Sequence, residues 1–157
     1  MERPGGYGKG YHQAFHDPCK ARAVVFDDGE KPVALVGLDA LIVVKPHVEE
    51  VRKRVAEKTG IAPEAIMIGA SHSHSSGPTG MVQPGDLDHA DELVRDLAYE
   101  QSSSADPLYV ERMIDGIPRA IIYAWETRSD LSVGFGRGEE DSISFNRRWR
   151  MKNGLTS

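Results

Sequence analysis

The sequence predicts an α/β protein, a layered sheet with flanking helices. Three features point there: two apolar runs joined by turn-forming residues, a helical stretch with valines on one stripe, and a third apolar run directly after it. Strand, helix, strand is the βαβ signature, and runs that are apolar at consecutive positions predict a sheet covered on both faces. At 157 residues the chain has the size of one domain, and 39% hydrophobic residues suffice for a core without disulfides or a structural metal.

In chain order, Ala21 to Phe26 reads as a strand, Asp27-Asp28-Gly29-Glu30-Lys31-Pro32 as a turn, and Val33 to Leu38 as a second strand, together a β-hairpin. From Pro46 to Lys58 the pattern becomes helical, with Val48, Val51 and Val55 on one stripe. Glu49 and Glu50 near its start and Lys53, Arg54 and Lys58 near its end suit the helix dipole, and Gly60 supplies the stop. A buried strand, Ala65 to Ala70, follows.

Residues 71 to 92 are rich in Ser, Gly, Pro, Asp and His and predict a long loop, a length usually tied to function or disorder. Asp106-Pro107 forms an N-cap and N1 pair for a helix with Val110, Met113, Ile114, Ile117, Ile121 and Trp125 on one face. Pro118 removes one backbone hydrogen bond from that helix and predicts a kink. Leu131 to Phe135 and Ser142 to Phe145 read as short closing strands around Gly136-Arg137-Gly138.

Composition narrows the function classes. Nineteen basic against 24 acidic residues give a net charge of -5, which offers no general field for nucleic acid. The single Cys19 has no intrachain disulfide partner, so cysteine usage does not identify a compartment. Met1 to Gly8 lacks the apolar core of a signal peptide, and no later run approaches the roughly 18 apolar residues of a membrane span. A soluble chain is expected, with secretion or a periplasmic location open for a longer parent protein.

Chemistry concentrates in Ser71-His72-Ser73-His74-Ser75-Ser76-Gly77-Pro78. If the third strand stays extended through this segment, Ile66, Ile68, Ala70, His72 and His74 point the same way, and the two imidazoles lie about 6 to 7 Å apart. That spacing suits one zinc ligand with a neighbouring base, or two ligands to one ion. Ser75 to Gly80 places small residues and free amides beside the pair, where a carbonyl or oxyanion could be held. The bland alternative is a polar surface loop. His89 among Asp86, Asp88, Asp91 and Glu92 reads as the acidic start of a helix, and His12, His16 and His47 as structural. Asp39, ending an apolar strand, either supports the metal site from behind or caps the next loop.

Gly6-Tyr7-Gly8-Lys9, His16-Asp17-Pro18, Leu38-Asp39, Thr59-Gly60-Ile61, Ser71-His72-Ser73-His74-Ser75 and Phe145-Asn146-Arg147-Arg148 occur in this order along nearly the whole chain. In this the sequence resembles the neutral/alkaline ceramidases, whose histidine motif is typically His-Thr-His-Ser-Gly-Pro. The resemblance implies a zinc-dependent amidohydrolase that cleaves an N-acyl lipid into a fatty acid and a sphingoid base. It implies His72 as the metal ligand for Zn2+, His74 as a catalytic histidine beside the metal water or one that supports the metal ligand, and Arg147 as the catalytic cation that steadies the oxyanion or the substrate. A substrate of that kind implies transient contact with a membrane surface, although no helix with a basic, apolar face is evident.

Two departures shape these expectations. A second Ser precedes Gly-Pro here and shifts the loop amides relative to the histidines, which opens the substrate to other N-acyl or ester compounds. The family also completes its zinc site with a His, a Glu and a Tyr well downstream of Asn-Arg, and has a strand before Gly6. The resemblance therefore implies that residues 1 to 157 form one domain corresponding to an N-terminal part of that catalytic domain. The reading from another class is a metal-free domain whose Ser/Gly loop binds an anion or a lipid head group.

Overall fold

The computed structural model describes residues 1–156. The hairpin forms as predicted, from β1 (Ala21–Phe26) and β2 (Val33–Leu38), paired antiparallel from Ala21↔Leu38 to Phe26↔Val33. Its turn is held by short acidic side chains. Asp27 accepts from the Gly29 amide at 2.9 Å, and Asp28 accepts from the Glu30 and Lys31 amides at 3.0 and 2.9 Å.

Helix α1 (Lys45–Thr59) starts with Pro46 in its first turn and stops at Gly60, whose φ of 75° lets its amide reach the Ala56 carbonyl. Its buried stripe is Val51 and Val55. Two arginines fix its position. Arg52 donates twice to the Ile66 carbonyl at 3.0 and 2.8 Å, and Arg54 bridges Glu50 and Asp115, both at 2.6 Å. Strand β3 (Ile66–Ala70) follows a 3-10 turn at Pro63–Ala65 and pairs parallel to β2, giving a three-stranded sheet ordered β1-β2-β3.

A short helix, α2 (Glu92–Arg95), is capped by Asp91, which accepts from the Val94 amide, and runs into a π-helical turn at Asp96–Gln101. Helix α3 (Pro107–Glu126) begins as predicted, with Asp106 accepting from the Tyr109 amide, and it continues unbroken through the buried Pro118. The core lies between one sheet face and the two long helices: Ala34, Val36, Leu38 and Ile66 meet Val51 and Val55 of α1 and Ile117 and Ile121 of α3.

Two expectations need correction. The sheet is covered on one face, not two. On its other face Val24, Phe26, Val33, Leu35 and Met67 are 37–61% exposed, in register across all three strands. The consecutive apolar residues that suggested two covers are shared between a packed face and a bare one. The closing strands at Leu131 to Phe135 and Ser142 to Phe145 do not form either; both stretches are irregular and exposed. Among the described residues, the hydrogen bonds of residues 137–156 join neighbours within that segment. A β-pattern without a partner ladder leaves its amides to water.

Candidate functional site

The histidine loop leaves the C-terminal end of β3, beside the end of β2, where open α/β sheets place their ligand sites. Pairing continues briefly past the strand, with the Ser71 amide on the Leu38 carbonyl at 2.9 Å and the Ser73 amide on the Ala40 carbonyl at 3.1 Å. Between them His72 takes a φ of 58°, left-handed backbone that a side chain rarely adopts. The extended alternation expected through His74 is thus broken at His72. The rings nevertheless meet edge to face, with centroids 5.0 Å apart and planes at 81°.

The tautomer of His72 follows from its partner. Its Nδ1 lies 3.0 Å from the Leu41 carbonyl, which can only accept, so Nδ1 carries the hydrogen. The neutral ring then presents the Nε2 lone pair outward. A backbone carbonyl behind an imidazole is the arrangement that orients metal-ligating histidines. Both rings are exposed. Among the described residues, no group of three or more His, Cys, Asp or Glu side chains is arranged to hold a metal ion. A catalytic zinc site takes three protein ligands and an open position, and the two histidines by themselves do not make one.

The rest of the loop is not the open run of amides that the sequence suggested. Ser76 to Gly80 are buried. The Ser75 amide is held by the Ser73 hydroxyl at 3.2 Å and the Thr79 amide by the Gly77 carbonyl at 2.8 Å. Outside groups seize the carbonyls: His12 Nε2 donates to Ser76 at 2.9 Å, Gln83 Nε2 to Thr79 and Gly80 at 3.1 and 2.9 Å, and the Asp106 amide to Pro78 at 2.9 Å. The Thr79 hydroxyl is buried without a hydrogen-bond partner among the described residues. Gly77 is required by contact, because a Cβ there would lie 2.0 Å from the Tyr109 ring.

Tyr109, which sequence reasoning missed, bolts this loop to α3. Burial first, then the neighbouring Cys19 thiol, pushes its phenol up to about 12. No motif announces that role, since a tyrosine in the first turn of an amphipathic helix reads as ordinary packing. A cleft of about 800 Å³ opens beside the loop, lined by Phe15, Pro18 and Tyr109 on its apolar side and by His12, Ser75 and Ser76 on its polar side.

The other candidates fall as follows. Asp39 neither joins the histidines nor caps the following loop among the described hydrogen bonds: it accepts from Arg22 at 2.9 and 3.0 Å and from the Lys20 amide at 3.0 Å, and these contacts hold its carboxyl below the usual range. His89 is exposed in the turns before the cap of α2, and His16 pairs with Asp17 at 2.8 Å on the surface. Arg147 is exposed in the C-terminal segment, and among the described residues no hydrogen bond or ion pair joins it to His72 or His74. The structure thus brings the two histidines together and, among the described residues, joins Arg147 to neither. Comparison with known proteins finds no matching family model, no matching curated protein and no matching solved structure.

Proposed function

We propose that the chain carries part of the active site of a zinc-dependent amidohydrolase acting on an N-acyl lipid, with a ceramide-like substrate. The observation that supports this best is His72, whose Nδ1 lies 3.0 Å from the Leu41 carbonyl so that Nε2 carries the ring's lone pair, with His74 beside it. The resemblance to neutral/alkaline ceramidases, carried by the ordered motifs from Gly6 to Arg148, supplies the substrate class.

In this reading His72 Nε2 would hold Zn2+, together with donors beyond the pair. Zinc, when bound, supplies a water of lowered pKa and polarises the amide carbonyl. His74, its ring centroid 5.0 Å from that of His72, would act as the base that takes a proton from the attacking water and returns it to the leaving amine. The resemblance gives Arg147 the role of steadying the oxyanion or the substrate, and here it lies in the exposed C-terminal segment. The cleft beside Ser75 and Ser76 takes the apolar arm of the substrate against Phe15 and Tyr109.

Fatty-acid release from an N-acyl sphingoid base by the zinc-loaded protein tests the reading. His72→Ala is expected to abolish release, and His74→Ala to lower it about a hundredfold or more. Release that survives His72→Ala would overturn it. The cleft favours one second reading, a metal-free domain that binds an anion or a lipid head group. That reading predicts equal binding of a short-chain N-acyl lipid with and without a zinc chelator.

A further inference from the structure

The N-terminal segment folds back as a hairpin and packs on the histidine loop. Glu2 bridges Tyr11, the Arg3 amide donates to Gly10 at 2.7 Å, and the His12 amide donates to Met1 at 3.1 Å. The hairpin is pinned to the segment before α3: Ser103 Oγ donates to the Arg3 carbonyl, and the Ser104 amide to Glu2 Oε1, both at 3.1 Å. The Lys9 amide donates to Gln101 at 3.0 Å, and Pro4 at the turn is fully buried. The turn is therefore a fixed part of the fold.

At its tip sits Gly5, with φ of 78°. A Cβ on Gly5 would lie 2.3 Å from Nδ1, 2.6 Å from Cε1 and 2.9 Å from Cγ of His74, separations that real Cβ atoms do not show. Two requirements coincide at one residue: left-handed backbone, and a bare Cα against an imidazole. An exposed histidine has many rotamers in water. Here one side of the ring is closed by the Gly5 backbone and another by the edge of His72.

We propose that Gly5 is a positioning residue for the imidazole pair, and that the N-terminal hairpin fixes the orientation of His74 against His72. The inference rests on the reading of that pair as the working site, yet its consequences are visible without metal or substrate. A His74 ring that is already oriented loses little rotamer freedom when it acts, which is the advantage of preorganisation.

Gly29 provides the control, because its φ of 86° carries the same backbone strain with nothing within 4 Å of an added Cβ. Gly29→Ala is expected to lower the folding equilibrium constant about tenfold, the ordinary cost of a side chain in left-handed backbone. Gly5→Ala should lower it severalfold further, because the His74 ring must move aside, and that excess should vanish when His74→Ala is combined with it, a coupling that a double-mutant cycle reads directly. In metal-free protein, the nuclear Overhauser contact between the His72 and His74 rings should be present in the parent and Gly29→Ala and lost in Gly5→Ala.

If Gly5→Ala does not fold, folding of the Gly5→Ala/His74→Ala pair supports the proposal, and failure of both overturns it. An unchanged ring contact in Gly5→Ala, or the same cost with and without His74, also overturns it. None of these readouts uses zinc or hydrolysis, so the outcome is separable from that of the proposed activity.

Discussion

Among the described residues His72 alone combines a side chain with positive φ. Left-handed backbone at a non-glycine residue costs of order 1–3 kcal/mol and tends to persist at functional sites. The sequence made the histidine pair legible as a unit, because two imidazoles after an apolar strand are unusual. It did not reveal their geometry, which depends on the Leu41 carbonyl, 31 positions away, and on Gly5. Tyr109 was hidden for the same reason. Its phenol favours the neutral form in the fold, so its contribution to stability is complete below pH 10 and is lost as pH rises from 10 toward about 12. Spectrophotometric titration should show a tyrosine step near pH 12 that Tyr109→Phe removes; a step that survives the substitution would refute the assignment.

At the scale of elements, β1, β2, α1, β3 and α3 were readable because each couples a periodic apolar pattern to explicit end signals. Asp27 and Asp28 make the hairpin turn, Gly60 stops α1, and Asp106-Pro107 starts α3. What the pattern could not supply was partnership. Val33 to Leu38 is apolar at every position, yet Ala34, Val36 and Leu38 are buried while Val33 and Leu35 are not. Leu131 to Phe135 has strand periodicity and no ladder, and Phe135 is 98% exposed. Neighbouring residues of β3 test the asymmetry. Ile66→Ala should cost about 2–5 kcal/mol by denaturant unfolding, since Ile66 is fully buried. Met67→Ala, on the bare face, should stay within about 0.5 kcal/mol. Equal losses would mean that the second face is covered in solution.

For the whole molecule, the layout is one sheet, one helical cover and a site at the C-terminal ends of the parallel strands. The N-terminal hairpin, the histidine loop and the first turn of α3 converge there through His12, Gly5 and Tyr109. Among the described residues no helix is long and apolar enough to cross a membrane. The net charge of -5 likewise gives no general attraction to an anionic surface. Recognition of a lipid would therefore rest on the cleft beside Ser75 and Ser76 rather than on a charged face. In this reading His72 is the one ligand of the pair, so zinc is held more weakly than by a complete ligand set. The most direct test is calorimetric titration of zinc into the chelator-treated chain and its His72→Ala variant at neutral pH. The account predicts one equivalent bound by the parent, with affinity at least about tenfold lower in the variant. The same affinity in both proteins would contradict it.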